Sequence, residues 1–89
     1  MDDKAIQEVM EIFTKWNPLG ERAKTVNGLD NYRTEAVDVL FHLDSKSSES
    51  TTLNLTKQVL NEAFDLLLEN EACIEPSRKI HKILKKYKI

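Results

Sequence analysis

The sequence predicts an all-α protein, a compact four-helix antiparallel bundle with a long loop between helices one and two, in a single domain spanning residues 1–89. Three observations point there. Apolar residues recur at three- and four-residue spacing along most of the chain, the period of a helix with one buried face. Only two Gly and two Pro are present, too few turn-makers for a β-rich fold, which reverses about every 8–12 residues. At 89 residues and 40% apolar content, there is enough hydrophobic material to close one small core and no more.

The first helix is expected over residues 4–16. Ile6, Val9, Met10, Phe13 and Trp16 form its stripe, Ile12 widens it, and Glu8, Glu11 and Lys15 lie opposite. Asn17-Pro18 ends it, because a proline disfavours helical geometry at the residue before it. Residues 17–31 show no sustained period, and Pro18, Gly20 and Asn27-Gly28 are turn signals. A loop of this length in a small domain is either functional or loosely ordered; Leu19, Val26 and Leu29 are available to pin it to the core.

Asn31 suits the N-cap of a second helix over residues 32–43, with Tyr32, Ala36, Val39, Leu40 and Leu43 on its core face. Val37 and Phe41 flank that face and offer a surface for pairing two copies as a homodimer. Residues 44–49 (DSKSSE) read as a polar linker. Ser50 or Thr51 then caps a third helix continuing to about residue 69. Leu53, Leu55, Val59, Leu60, Ala63, Phe64, Leu66, Leu67 and Leu68 cover well over half its circumference, which predicts a central helix enclosed by the other three. Residues 69–75 form an acidic corner, and Pro76 fits the first turn of a fourth helix. Ile80, Ile83, Leu84 and Tyr87 make its narrow apolar stripe.

Several anchors together resemble a known family. Trp16 closing the first helix, the run Asn17-Pro18-Leu19-Gly20, the Tyr32, Thr34, Glu35, Ala36 start of the second helix, and the stretch 72–77 followed by Ile80 and Leu84 resemble small bacterial proteins catalogued as domain of unknown function eighteen seventy-one. The loop between Gly20 and Tyr32 is a few residues longer here than in that pattern. The resemblance implies a compact all-helical fold, brings no activity with it, and transfers no functional residue.

Catalytic constellations are sparse. Glu35, Asp38 and His42 fall on one side of the second helix, where they are expected to be a solvated face, because no matching His-rich pair exists to complete a metal shell. A Cys73 nucleophile with His81 as base requires a lowered thiol pKa; Cys73 sits in an apolar patch beside Glu71 and Glu75, which oppose the thiolate, so burial as a small hydrophobe is expected. A lone cysteine also rules out an internal disulfide and fits a reducing compartment. Glu62, Asp65 and Glu69 lie on the polar side of the third helix without a facing, desolvated partner for acid–base work. No glycine-rich phosphate loop is present. The expectation is a protein that is not an enzyme and uses no metal or cofactor.

Charge is polarised along the chain. Six of the thirteen basic residues and none of the fifteen acids lie in 78–89, so this stretch carries +6 and the remaining 77 residues −8. Arg78, Lys79, Lys82, Lys85, Lys86 and Lys88 form a candidate basic surface; Glu62, Asp65, Glu69, Glu71 and Glu75 form the densest acidic region and a candidate partner-binding surface. Lysines near a helix C-terminus also simply suit the macrodipole. Trp16 and the loop after it cap the end of the bundle or, less expectedly, meet a partner.

The acidic start Met1-Asp2-Asp3-Lys4 differs from the basic opening of a secretory signal, and no apolar run exceeds three residues. A cytoplasmic location without membrane contact is therefore expected. The function expected is protein–protein contact, the partner being another protein, with the chain a monomer or homodimer. The alternatives are an immunity or antitoxin-type protein that neutralises a toxin or nuclease through its acidic surface, and a nucleic-acid-associated protein using the basic C-terminal helix; nucleic acid is the weaker partner, since only Tyr87 stands among the lysines.

Overall fold

Asp2 starts the first helix: its carboxylate accepts hydrogen bonds from the backbone N–H of Lys4 at 2.8 Å and of Ala5 at 3.4 Å, satisfying two donors that the first turn leaves without partners. The computed structural model describes residues 2–89. Its helices are α1 (Asp3–Trp16), α2 (Arg33–His42), α3 (Glu49–Phe64) and α4 (Asn70–Lys86), with 3₁₀ turns at Gly20–Lys24 and Asp30–Tyr32. No strand occurs among the described residues. The radius of gyration is 12.0 Å, the value of about 12 Å expected for a compact chain of this length. Among the described residues, no helix is long and apolar enough to cross a membrane.

The stripes on α1, α2 and α4 are buried as their spacing predicts, except that Trp16 and Tyr87 at their ends are half-buried. Ala5, Ile6, Val9, Met10 and Phe13 from α1 meet Ala36, Val39 and Leu40 from α2 and Ile80, Ile83 and Leu84 from α4, with Leu19, Tyr32, Leu43 and Leu60 completing the core. Each such large apolar side chain contributes about 1.5–3 kcal/mol by leaving water. The N-terminal half of α1 lies against the C-terminal end of α4, where Lys86 Nζ is 3.2 Å from Glu8 Oε1.

Four boundaries differ from the sequence expectation: the start of α2, both ends of α3, which Ser48 caps in place of Ser50 or Thr51, and the start of α4. Asn31 does not cap α2. Asp30, Asn31 and Tyr32 instead adopt left-handed backbone (φ 44°, 56° and 65°), and α2 begins at Arg33. Left-handed backbone costs a non-glycine residue about 1–2 kcal/mol. Burial of the Tyr32 ring between Phe13 and Phe64, at centroid distances of 6.1 and 6.0 Å, offsets that cost, since such edge-to-face pairs add about 0.5–1.5 kcal/mol each beyond their buried area.

The third helix is capped by Ser48, whose hydroxyl accepts from Thr51 N–H at 3.0 Å, and it stops at Phe64, five residues earlier than expected. Asn61 stops it. Its side chain clasps the backbone of Leu68, accepting from the N–H at 2.8 Å and donating to the carbonyl at 3.3 Å, while Asp65 turns left-handed at φ 53°. Leu66, Leu67 and Leu68 therefore lie outside the helix, and Leu67 is 93% exposed. Without them α3 is not an enclosed central helix. Its fully buried residues are Thr52, Thr56 and Leu60; Leu53, Leu55, Val59 and Phe64 are half-buried and Ala63 is exposed. The small Thr52 and Thr56 face the densest helix pairing of the fold, that of α3 with α4, to which α4 brings the buried Cys73 and Ser77.

The fourth helix begins at Asn70, two turns before Pro76. The expected acidic corner is helical. Pro76 sits in the helix interior, where it cannot donate to the Ala72 carbonyl; Ala72 is solvent-exposed, which lets water take the missing donor's place. The far end of α4 holds the 44–48 linker: Lys85 Nζ donates to the Ser45 carbonyl at 3.1 Å, His81 Nε2 lies 2.9 Å from the Ser47 carbonyl, and Ser45 N–H donates to the Ile89 carbonyl at 3.3 Å.

Candidate functional site: the groove between α1 and α4

Helices α1 and α4 meet along their buried stripes, and the residues just above those stripes line a surface groove of about 830 Å³. Ile12, Trp16, Ala72, Pro76 and Ile83 form its apolar floor. Trp16 is half-buried and leans on Phe13 at a centroid distance of 6.3 Å, so one ring both closes the end of the core and paves the groove.

The rim is charged with both signs. At one end α1 contributes Glu8 and Glu11 and α4 contributes Lys82 and Lys86; at the other, α1 contributes Lys15 and α4 contributes Glu71 and Glu75, with Lys79 between. Glu8 is the best-held of these. The Tyr87 hydroxyl donates to its Oε2 and Lys86 to both its oxygens, and together they hold its carboxyl below the usual glutamate range, with the Tyr87 bond the larger cause. Glu75 pairs with Arg78 at 2.9 Å. Among the described residues, Glu11, Lys15, Glu71, Lys79 and Lys82 make no ion pair within 4 Å.

The candidate acidic residues are distributed over several elements. Glu62 lines a second cleft of about 410 Å³ with Asp38, His42 and Leu55, between α2 and α3. Asp65 is the left-handed residue that ends α3, and Glu69 precedes α4. Glu71 and Glu75 belong to the α1/α4 groove. The basic residues divide likewise: Lys79, Lys82 and Lys86 rim the groove, Arg78 pairs along its own helix, Lys85 reaches the 44–48 linker, and Lys88 is exposed beyond α4. The groove brings members of both sets together with Glu8, Glu11 and Lys15, which belong to neither; the signal for it was the i, i+3, i+7 spacing shared by Glu8, Glu11, Lys15 and Lys79, Lys82, Lys86.

Among the described residues, no group of three or more His, Cys, Asp or Glu is placed to hold a metal ion. Glu35 departs from the solvated face expected for it. It is buried, with one carboxyl oxygen lacking a hydrogen-bond partner, and burial pushes its carboxyl pKa up, reinforced by the Asp38 charge. Asp38 and His42 are exposed, with His42 Nδ1 2.8 Å from the Asp38 carbonyl. Cys73 is fully buried, and burial likewise pushes its thiol up, against a smaller opposing pull from Lys57. A thiol so placed is held neutral and is a poor nucleophile at neutral pH. Phe41 stands 74% exposed on α2, edge-on to the His42 ring at 5.3 Å.

No family model, known protein or solved structure matches the chain. Fold and site together define an all-helical protein carrying an interhelical groove with an apolar floor and a rim of mixed charge.

Proposed function

We propose that this chain is a non-enzymatic protein that acts through protein–protein contacts, made by the α1/α4 face. The groove carries the proposal: an apolar floor under a rim of largely unpaired charges of both signs is the composition of a contact surface, with a dry centre and a polar margin. In this reading the four helices form an antiparallel bundle whose first and last members are left open on one side for a partner. The resemblance to domain of unknown function eighteen seventy-one bears on the helical fold alone, since no established activity comes with that family.

A surface of one sign suits a toxin or a nucleic acid better than this one does. Glu71 and Glu75 share the groove with Lys79 and Lys82, so neither the acidic patch of an immunity protein nor the basic patch of a nucleic-acid binder stands alone there. The acidic alternative rests instead on Glu62, Asp65 and Glu69, all exposed and outside the α1/α4 groove.

Filling the groove tests the proposal. Ala72→Arg adds a long side chain to the exposed floor of α4, and circular dichroism establishes that the helices persist. Proteins retained by the wild type are expected to be lost by the variant. Identical retention by both overturns the assignment to this face, and loss caused only by charge reversal at Glu62, Asp65 and Glu69 transfers it to the acidic alternative.

A further inference from the structure

We infer that the partner fitting the α1/α4 face is a second copy of this chain, placed by a twofold axis along the groove so that α1 of each copy lies over α4 of the other. The inference rests on the α1/α4 face being a contact surface, as proposed above, and adds its occupant.

The rim charges make a checkerboard. At one end α1 is acidic (Glu11) and α4 basic (Lys82); at the other α1 is basic (Lys15) and α4 acidic (Glu71). A twofold axis parallel to the helices lays each α1 on the partner's α4 and keeps both ends in register. Glu11 then meets Lys82 of the other copy, and Lys15 meets Glu71, each contact occurring twice by symmetry. A surface of one sign repels its own image; this one attracts it. Those four side chains have no ion-pair partner within their own chain among the described residues, so association costs no internal pair. The floors also meet, Trp16 and Ile12 of one copy over Pro76 and Ala72 of the other.

Size sets the strength. Helices of 14 and 17 residues present a face about 20 Å long and two helix widths, about 20 Å, across. Burying about 400 Å² on each copy falls below the roughly 1,200 Å² total of stable complexes, so the dimer is weak and concentration-dependent.

Sedimentation velocity of the full chain between about 5 and 500 µM is the experiment, this being the range in which small contacts assemble. The wild type is expected to shift from monomer to dimer across it. Glu11→Lys and Lys82→Glu each place like charges in apposition twice and are expected to weaken the dimer about tenfold or more. An equimolar mixture of these two variants is expected to recover wild-type association, because each α1 then meets an oppositely charged α4. Phe41→Ser on α2 is expected to leave association unchanged. Three results overturn the inference: a wild type that stays monomeric, a mixture that fails to recover, and a dimer abolished by Phe41→Ser. Loss of protein capture by Ala72→Arg alongside a monomeric wild type leaves the contact face standing and removes only its occupant.

Discussion

The Tyr32 hydroxyl donates to Asn17 Oδ1 at 2.7 Å and accepts from the Leu19 backbone N–H at 3.3 Å. One side chain thus joins the start of α2 to the left-handed residue that ends α1, across the whole 17–31 segment. Burial pushes the phenol pKa up, which keeps it a neutral donor. The buried Leu19 depends on this contact for its backbone hydrogen bond.

Tyr32→Phe keeps the ring but removes both bonds and leaves the Leu19 N–H buried without a partner. A loss of about 1–3 kcal/mol is expected, read in urea melts. Asn17→Ala removes one of the same bonds, so the double variant is expected to lose less than the two single losses added together. Strict additivity would show that the hydroxyl does not join the two segments.

Thr56 is fully buried at the α3/α4 interface with its hydroxyl unpartnered. Thr56→Val keeps the shape and removes a desolvated polar group. Stabilisation by about 1 kcal/mol is expected, raising Tm by about 4–8 °C in a chain of this size. A fall in Tm would mean that the hydroxyl has a partner in solution.

Glu35 gives stability a pH signature. Its proton is bound more tightly in the folded protein than in the unfolded chain, where a glutamate titrates near 4.5. Its contribution is therefore complete below the unfolded value and is lost as pH rises through the elevated folded one. Glu35→Gln is expected to stabilise the protein more at about pH 7 than at about pH 4, because above the unfolded value the glutamate loses stability by ionising more readily in the unfolded chain, a loss that glutamine does not share. Equal effects at both pH values would contradict the buried, proton-retaining state.

Asn61→Ala removes the clasp on Leu68. The turn into α4 is expected to loosen, with a loss of about 1–3 kcal/mol from two hydrogen bonds and faster hydrogen exchange at the Leu68 amide. Unchanged exchange there would show that Asp65 ends α3 unaided.

The helical class and three of the four core faces were legible because periodicity reports burial directly: the stripes of α1, α2 and α4 are the buried residues. What escaped were interactions between side chains and distant backbone. The leucines at 66–68 continue a helical apolar pattern, and the forward reach of Asn61 to Leu68, together with the left-handed turn at Asp65, removes them from α3. Pro76 has the local preference of a first turn, but Cys73, buried three residues earlier, draws the chain into helix sooner. Glu35 belongs to the polar side of α2 by spacing, yet it sits in the first turn of that helix, beside the inward-turned Tyr32. The groove was the least legible feature. Its charges lie on helices at opposite ends of the chain, and their juxtaposition exists only once α1 has settled on α4.

That separation has a consequence of its own. Glu8 and Lys86 stand side by side although 78 positions separate them, so the groove cannot form from any local fragment. A chain in which α4 has come away from α1 presents no such groove, so any partner that recognises it reads the assembled pair of helices rather than either one.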